Sequence, residues 1–263
     1  MNGLRYPALA SAKTASNFEE FISWCEEISS NRHVHIFRGQ ANVDWPLLAK
    51  ADRKNYRLDA NHRFKVWERR ASMWLDPSLN NLQKLCIAQH NGLATKLLDW
   101  SFNPLVALYF SVSDDFLMEN GKSVSDFEKV SVVYAIDLSE SRIREKEVVE
   151  CQNEGGDIYV VRGSGPNNRL ANQSGIFIVD PSQCLEIKAS NVDVSKIKIS
   201  AIRIKNQKNI EASLYRYGIH HMSVYPDLYG LSQHLDRIET RKWLQDGGSR
   251  DPYDLSFYES RGE

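Results

Sequence analysis

Apolar residues recur at helical spacing through Phe18, Phe21, Ile22, Cys25 and Ile28, behind a capping-box pair of Ser16 and Glu19, and predict a helix from Ser16 to Ile28 packed by one face. Val34 and Ile36 then alternate with His33 and His35 as a half-buried strand, which ends at Phe37-Arg38-Gly39-Gln40. A helix capped by Asn61 carries Phe64, Trp67, Ala71 and Trp74, and a second series (Leu79, Leu82, Leu85, Cys86) leads to Gln89-His90-Asn91-Gly92. Asn103 followed by Pro104 reads as an N-cap with proline at the first helical position, and Leu105, Leu108, Tyr109 and Val112 extend that helix towards Asp114-Asp115.

From about Lys129 the period becomes two: Val130, Val132, Tyr134 and Ile136 alternate, and strands are expected at 157–161, 175–179 and 196–204. Segments 114–128 and 140–156 read as surface excursions. Ile210, Leu214 and Tyr217 predict a short helix closed by Gly218, and Leu228, Leu231, Leu235 and Ile238 a final long one. The fold class expected is α+β, a helical first third packed on a mixed or antiparallel sheet. Residues 1–30 form an N-terminal helical extension, 31–245 one main domain and 246–263 a flexible tail.

Composition narrows the function. A length of 263 residues, 42% hydrophobic and 25% charged, is that of an ordinary globular chain with a large core. A net charge of -1 disfavours nucleic acid held by a broad basic field, though a local basic groove remains open. The run Arg63, Lys65, Arg69, Arg70 is either such a contact or a solvated helix face. The four cysteines show no CxxC pair and are expected reduced; no metal-ligand spacing occurs, so no metal is expected. With no apolar leader and no long apolar run, the expected address is the cytoplasm, without a membrane partner.

Three stretches resemble the FRG domain family: Phe37-Arg38-Gly39-Gln40 with Asp44-Trp45-Pro46-Leu47; the run from Gln89-His90-Asn91-Gly92-Leu93-Ala94-Thr95 through Leu98-Asp99-Trp100-Ser101 to Phe110; and Arg169 through Gln173-Ser174-Gly175-Ile176-Phe177. Tyr225-Pro226-Asp227-Leu228 shares the likeness. Ala94 and Lys96 stand where the family more often has Pro and Arg, and Lys96 lacks an arginine's bidentate grip. The resemblance implies that 31–245 is an FRG domain of bacterial or phage-related origin, met in anti-phage defence.

The order of Arg38-Gly39, Ser101-Phe102-Asn103-Pro104 and the Gln173 strand is also similar to ADP-ribosyltransferases of the Arg-Ser-Glu type. That analogy implies an ADP-ribosyltransferase-like core with NAD as cofactor or substrate, and a protein or nucleic-acid acceptor. Arg38 and Gln40 would bind the ligand with Thr95, Asp99, Trp100 and Ser101. Glu68, His90 and Gln173 are the catalytic candidates, Glu68 as the carboxylate because Gln173 stands where those enzymes carry glutamate. Each residue has a plainer reading. Arg38 would pair with Asp99 structurally, Trp100 would be core, His90 would shape its loop, and Glu68 would be a surface charge. Two other classes stay open: a non-enzymatic sensor or interaction module that binds a nucleotide, peptide or phage component, and a nucleic-acid-acting toxin domain.

Overall fold

The computed structural model of the chain describes residues 9, 11–30, 33–53, 56–113, 118–119, 122–123, 130–139, 143–145, 158–162, 173–179 and 199–240. Its strands are β1 (Lys13–Ala15), β2 (His35–Gln40), β3 (Leu98–Ser101), β4 (Met118–Glu119), β5 (Lys122–Ser123), β6 (Ser131–Asp137), β7 (Ile143–Glu145), β8 (Ile158–Val161), β9 (Gly175–Val179) and β10 (Ile199–Ile204). Its helices are α1 (Phe18–Ser29), α2 (Ala60–Ala71), α3 (Asn81–His90), α4 (Pro104–Val112), α5 (Gln207–Arg216), α6 (His221–Val224) and α7 (Leu228–Thr240).

Among the described residues eight strands form one sheet in the order β1-β10-β6-β2-β3-β9-β8-β7, and β4 pairs with β5 apart from it. The outer pairs β1–β10 and β7–β8 are parallel and the inner pairs antiparallel, so the sheet is mixed and the chain α+β. Strand β2 pairs with β6 along its whole length, from His35 opposite Asp137 to Gln40 opposite Val132. Its other neighbour, β3, shares one paired position with it, Phe37 with Ser101, while all four residues of β3 pair with β9. The sheet is therefore two well-laddered halves joined at a narrow seam.

Alternation along the strands loads both faces. Phe37, Val133, Ala135, Ile202 and Ile204 meet α1, α4 and α5 in one core cluster. Ile36, Leu98, Trp100, Tyr134, Ile136, Ile176 and Ile178 pack on the other side with Leu9, Leu47 and Ala49. Every residue of β6 is buried, because strands flank it and both faces are covered. A third cluster seats α3 through Leu82 and Cys86 on Val161, Phe177 and Val179. Helix α1, expected as an extension, packs Phe18, Phe21, Trp24 and Cys25 into the first of these cores.

Helix ends follow local side-chain chemistry, in places one or two residues from the sequence expectation. Asn17 rather than Ser16 caps α1 and accepts from Glu20 N, while the Glu20 carboxylate accepts from Ser16 N. Asp59 rather than Asn61 caps α2. Asn80 and Gln83 form a reciprocal capping box on α3. Asn103 caps α4 with Pro104 at its first position, as expected, and the helix stops at Val112.

The expected final long helix forms as α7, and its inward face is not the leucine series. Leu228 and Leu235 face solvent, and the buried residues are Gly230, His234 and Arg237. Arg237 donates to Glu211 at 3.5 Å and to Ser113 at 3.2 Å, so a charge matched by distant partners sets which face turns inward. The expected tail 246–263 and nearly all of 140–156 lie outside the described residues. Among the described residues no helix is long and apolar enough to cross a membrane.

Gly39 settles how α4 lies on the sheet. A Cβ at this position would stand 1.8 Å from the Ala107 carbonyl oxygen and 2.7 Å from Ser111 N, so strand and helix backbones touch where no side chain fits. Replacing Gly39 by alanine forces α4 off β2. The expected loss is about 1–3 kcal/mol of unfolding free energy, seen as a lower urea midpoint at unchanged slope; an unchanged midpoint would show that the helix can shift freely.

Candidate functional site

Beyond Phe37 and Ser101 the two half-sheets part, and a cavity of about 330 Å³ opens between them. Its wall includes Arg38 and Gln40 from β2, Asp99, Trp100 and Ser101 from β3, Thr95 from the preceding loop, His90 at the end of α3, and Gln173. Eight of the nine residues singled out from the sequence thus line one cavity, although 52 positions separate Arg38 from His90. Glu68 is not among the lining residues: it sits on α2, where its carboxylate accepts from Lys84 Nζ at 2.9 Å.

Arg38 lies inside β2, not at its end, because β2 continues to Gln40. Its NH1 donates to the Asp99 carbonyl at 2.5 Å, a bond to the backbone in place of the carboxylate pairing considered above. The guanidinium Nε is buried with no hydrogen-bond partner among the described residues. Burial pushes the Arg38 pKa down to about 10, with Asp99 pulling up and Arg53 pushing further down; the group stays charged at neutral pH.

Two more polar atoms of the wall are in the same condition, Gln40 Oε1 and Trp100 Nε1. Gln40 donates its amide to the Pro46 carbonyl at 3.2 Å, which leaves its oxygen sealed, and both residues are only 3% exposed. An unsatisfied buried polar atom costs roughly 1–3 kcal/mol. Three such atoms belong to residues that line one cavity, which makes this wall the least satisfied polar cluster beside it among the described residues.

The rest of the wall is braced. Thr95 Oγ1 donates to Gln89 Oε1, and Gln89 Nε2 donates to Asp99 Oδ1 at 2.7 Å, so a relay through Gln89 fixes the Asp99 carboxylate. Ser101 Oγ donates to the Gln173 carbonyl at 2.6 Å and accepts from Asn103 N at 2.9 Å, tying β9's entry to the start of α4. Gln173 Nε2 donates to the Val224 carbonyl at 3.1 Å and so bonds that strand entry to α6. Phe110 and Tyr225 meet edge to face at 6.3 Å and form an aromatic side of the cavity.

Several wall residues were not singled out as site residues from the sequence: Gln89, Trp45, Lys50, Arg53, Phe110 and Tyr225. Gln89 and Trp45 stood inside the family-like stretches, so their signal was present. Lys50 and Arg53 follow those stretches with no pattern of their own. Asp99 is the one carboxylate among the described wall residues, facing Arg38, Lys50 and Arg53. Among the described residues no group of three or more His, Cys, Asp or Glu could hold a metal ion.

Residues 33–119 match the FRG domain family, a span that covers β2 through β4 and carries Arg38, His90, Thr95 and Asp99. No curated protein and no solved structure matches the chain.

Cys86 also lines the cavity, and its chemistry is predictable. Burial, then the Asp99 charge, pushes its thiol up to about 12, and burial with the Glu26 charge does the same for Cys25. A rise from 9.0 to about 12 lowers the thiolate fraction at pH 8 roughly a thousandfold. Peptide-level mass spectrometry is expected to show Cys25 and Cys86 alkylated by iodoacetamide at least about a hundredfold slower in the folded protein than in urea. Fast native alkylation of Cys86 would contradict the burial described here.

Proposed function

We propose that the cleft around Arg38 binds a nucleotide of the NAD type. The observation that carries this reading is the meeting, in one cavity, of a half-free arginine fork, two more sealed polar atoms and a rigid aromatic side. A charged fork suits the paired oxygens of a phosphate, an aromatic edge suits a flat ring, and the cavity's volume falls within the range of ligand pockets. The FRG match, together with the order of Arg38-Gly39, Ser101 to Pro104 and the Gln173 strand, supports placing the protein beside ADP-ribosyltransferases, with a role in bacterial anti-phage defence.

In the enzymatic form, NAD would lose nicotinamide and ADP-ribose would pass to water or to a protein or nucleic-acid acceptor. Positive charge that grows on the ribose needs a carboxylate nearby. Glu68 would have to leave Lys84 to supply it, with His90 at the rim as proton carrier and Gln173 orienting the ribose. A second reading, a nucleotide sensor without catalysis, is favoured by the state of the wall: its one described carboxylate, Asp99, is already held by Gln89.

NAD and ADP-ribose at millimolar concentration are expected to raise the melting temperature, since a ligand of the native state stabilises it by mass action. Arg38→Ala keeps a cooperative melt and loses that shift. No shift in the parent protein would remove the nucleotide reading, and an unfolded Arg38→Ala would return Arg38 to a structural role. Nicotinamide release then separates the two forms. Abolition by Glu68→Gln marks an enzyme, whereas release that arises only in Gln173→Glu marks a sensor.

A further inference from the structure

We propose that Arg53 is the second arm of a two-arginine clamp on a doubly charged phosphate or diphosphate group, holding it against Arg38. This rests on the nucleotide reading and specifies which part of the ligand that wall receives.

The two arginines reach the cavity from different parts of the chain. Arg38 comes from the middle of β2, and Arg53 follows the short 3-10 turn Lys50–Asp52. Arg53 is anchored through its stem side, Nε donating to the Leu48 carbonyl at 2.9 Å, so its terminal amino groups are left for the cavity. Lys50 stands beside it, held by the Gly92 carbonyl at 3.1 Å. Arg38 brings a buried Nε–H without a partner among the described residues.

Charge counting makes the assembly unusual. Among the described wall residues three cations face one carboxylate, and three less one leaves two positive charges in excess. The electrostatics agree with the geometry: burial lowers the pKa of both arginines, and the charge of Arg53 lowers that of Arg38 further. Asp99 pulls the other way on each, with one oxygen already taken by Gln89. Arg53 and Lys50 are exposed while Arg38 lies deeper, so the positive charge is presented towards solvent, where it attracts an anion. An anion of charge near minus two restores balance, and two guanidinium forks match phosphate oxygens better than a point charge does.

The test titrates the parent protein, Arg53→Gln, Arg53→Lys and Arg38→Ala with inorganic phosphate, pyrophosphate, NAD and nicotinamide riboside, which carries the ring without phosphate. Arg53→Gln is expected to weaken pyrophosphate and NAD by about tenfold or more, as for loss of hydrogen bonds to a charged group. It leaves nicotinamide riboside unchanged, and Arg53→Lys recovers part of the loss. Phosphate binding as well as pyrophosphate assigns the clamp to a single phosphate group, and pyrophosphate binding far better assigns it to a diphosphate. Equal pyrophosphate affinity in the parent and Arg53→Gln overturns the clamp. NAD binding that needs Arg38 but not Arg53 overturns the clamp and leaves the nucleotide reading standing. Pyrophosphate binding that needs Arg53, without any NAD binding, does the reverse. No binding of any probe overturns both.

Discussion

The site exists because β2 and β3 stay together for one paired position and then part. Each strand is committed elsewhere: β2 to β6 over six residues, and β3 to β9 over four. The backbone contact of Gly39 with Ala107 then draws α4 close along β2, and the Asn103 cap starts that helix two residues after β3 ends. Strand, turn and helix are thus fixed by a backbone contact and a side-chain cap, while Arg38 Nε, Gln40 Oε1 and Trp100 Nε1 are buried without a hydrogen bond among the described residues.

The opposite wall is held by a different kind of chemistry. Glu211, Ser113 and Arg237 join α5, the end of α4 and α7 through buried polar contacts, and the His234 ring stacks on both Tyr215 at 5.6 Å and His220 at 4.6 Å, which touch each other at 5.3 Å. The Tyr109 hydroxyl and His221 Nδ1 share a 2.8 Å hydrogen bond, and the His221 ring lies 4.6 Å from that of Tyr225. Such networks are directional where apolar packing is not, so they set the position of Tyr225 more tightly than oily contacts would. The aromatic side of the cavity inherits that definition.

Much of this was legible in the sequence, and what was not has physical causes. The Asn103-Pro104 start, the strand at 175–179 and the end of α5 before Gly218 are local signals, and local signals survive folding. Ser16 and Asn17 offered two neighbouring caps, as did Asp59 and Asn61, and only the final backbone path chooses between them. The leucine spacing announced α7, but the face it buries follows Arg237, whose partners lie 26 and 124 positions away. Strand β1 has three residues and no period to read. For the site, Arg38 and the stretch from Thr95 to Ser101 were visible as motif. The relay through Gln89 and the arrival of Arg53 depend on which loops meet, and no spacing along the chain encodes that.

The Ser101 bond to the Gln173 carbonyl, and the Gln173 bond to the Val224 carbonyl, stitch the cavity wall across the chain from its middle to near its C-terminal helix. That stitching gives the protein a time order. A chain emerging from the ribosome can lay down β2, α3 and the Thr95 to Ser101 loop early, but the wall opposite them arrives with Tyr225, more than a hundred residues later. A half-made chain therefore carries the basic side of the cleft and Phe110 without Tyr225, and the cavity is closed only once the segments bearing Gln173 and Tyr225 have been synthesised.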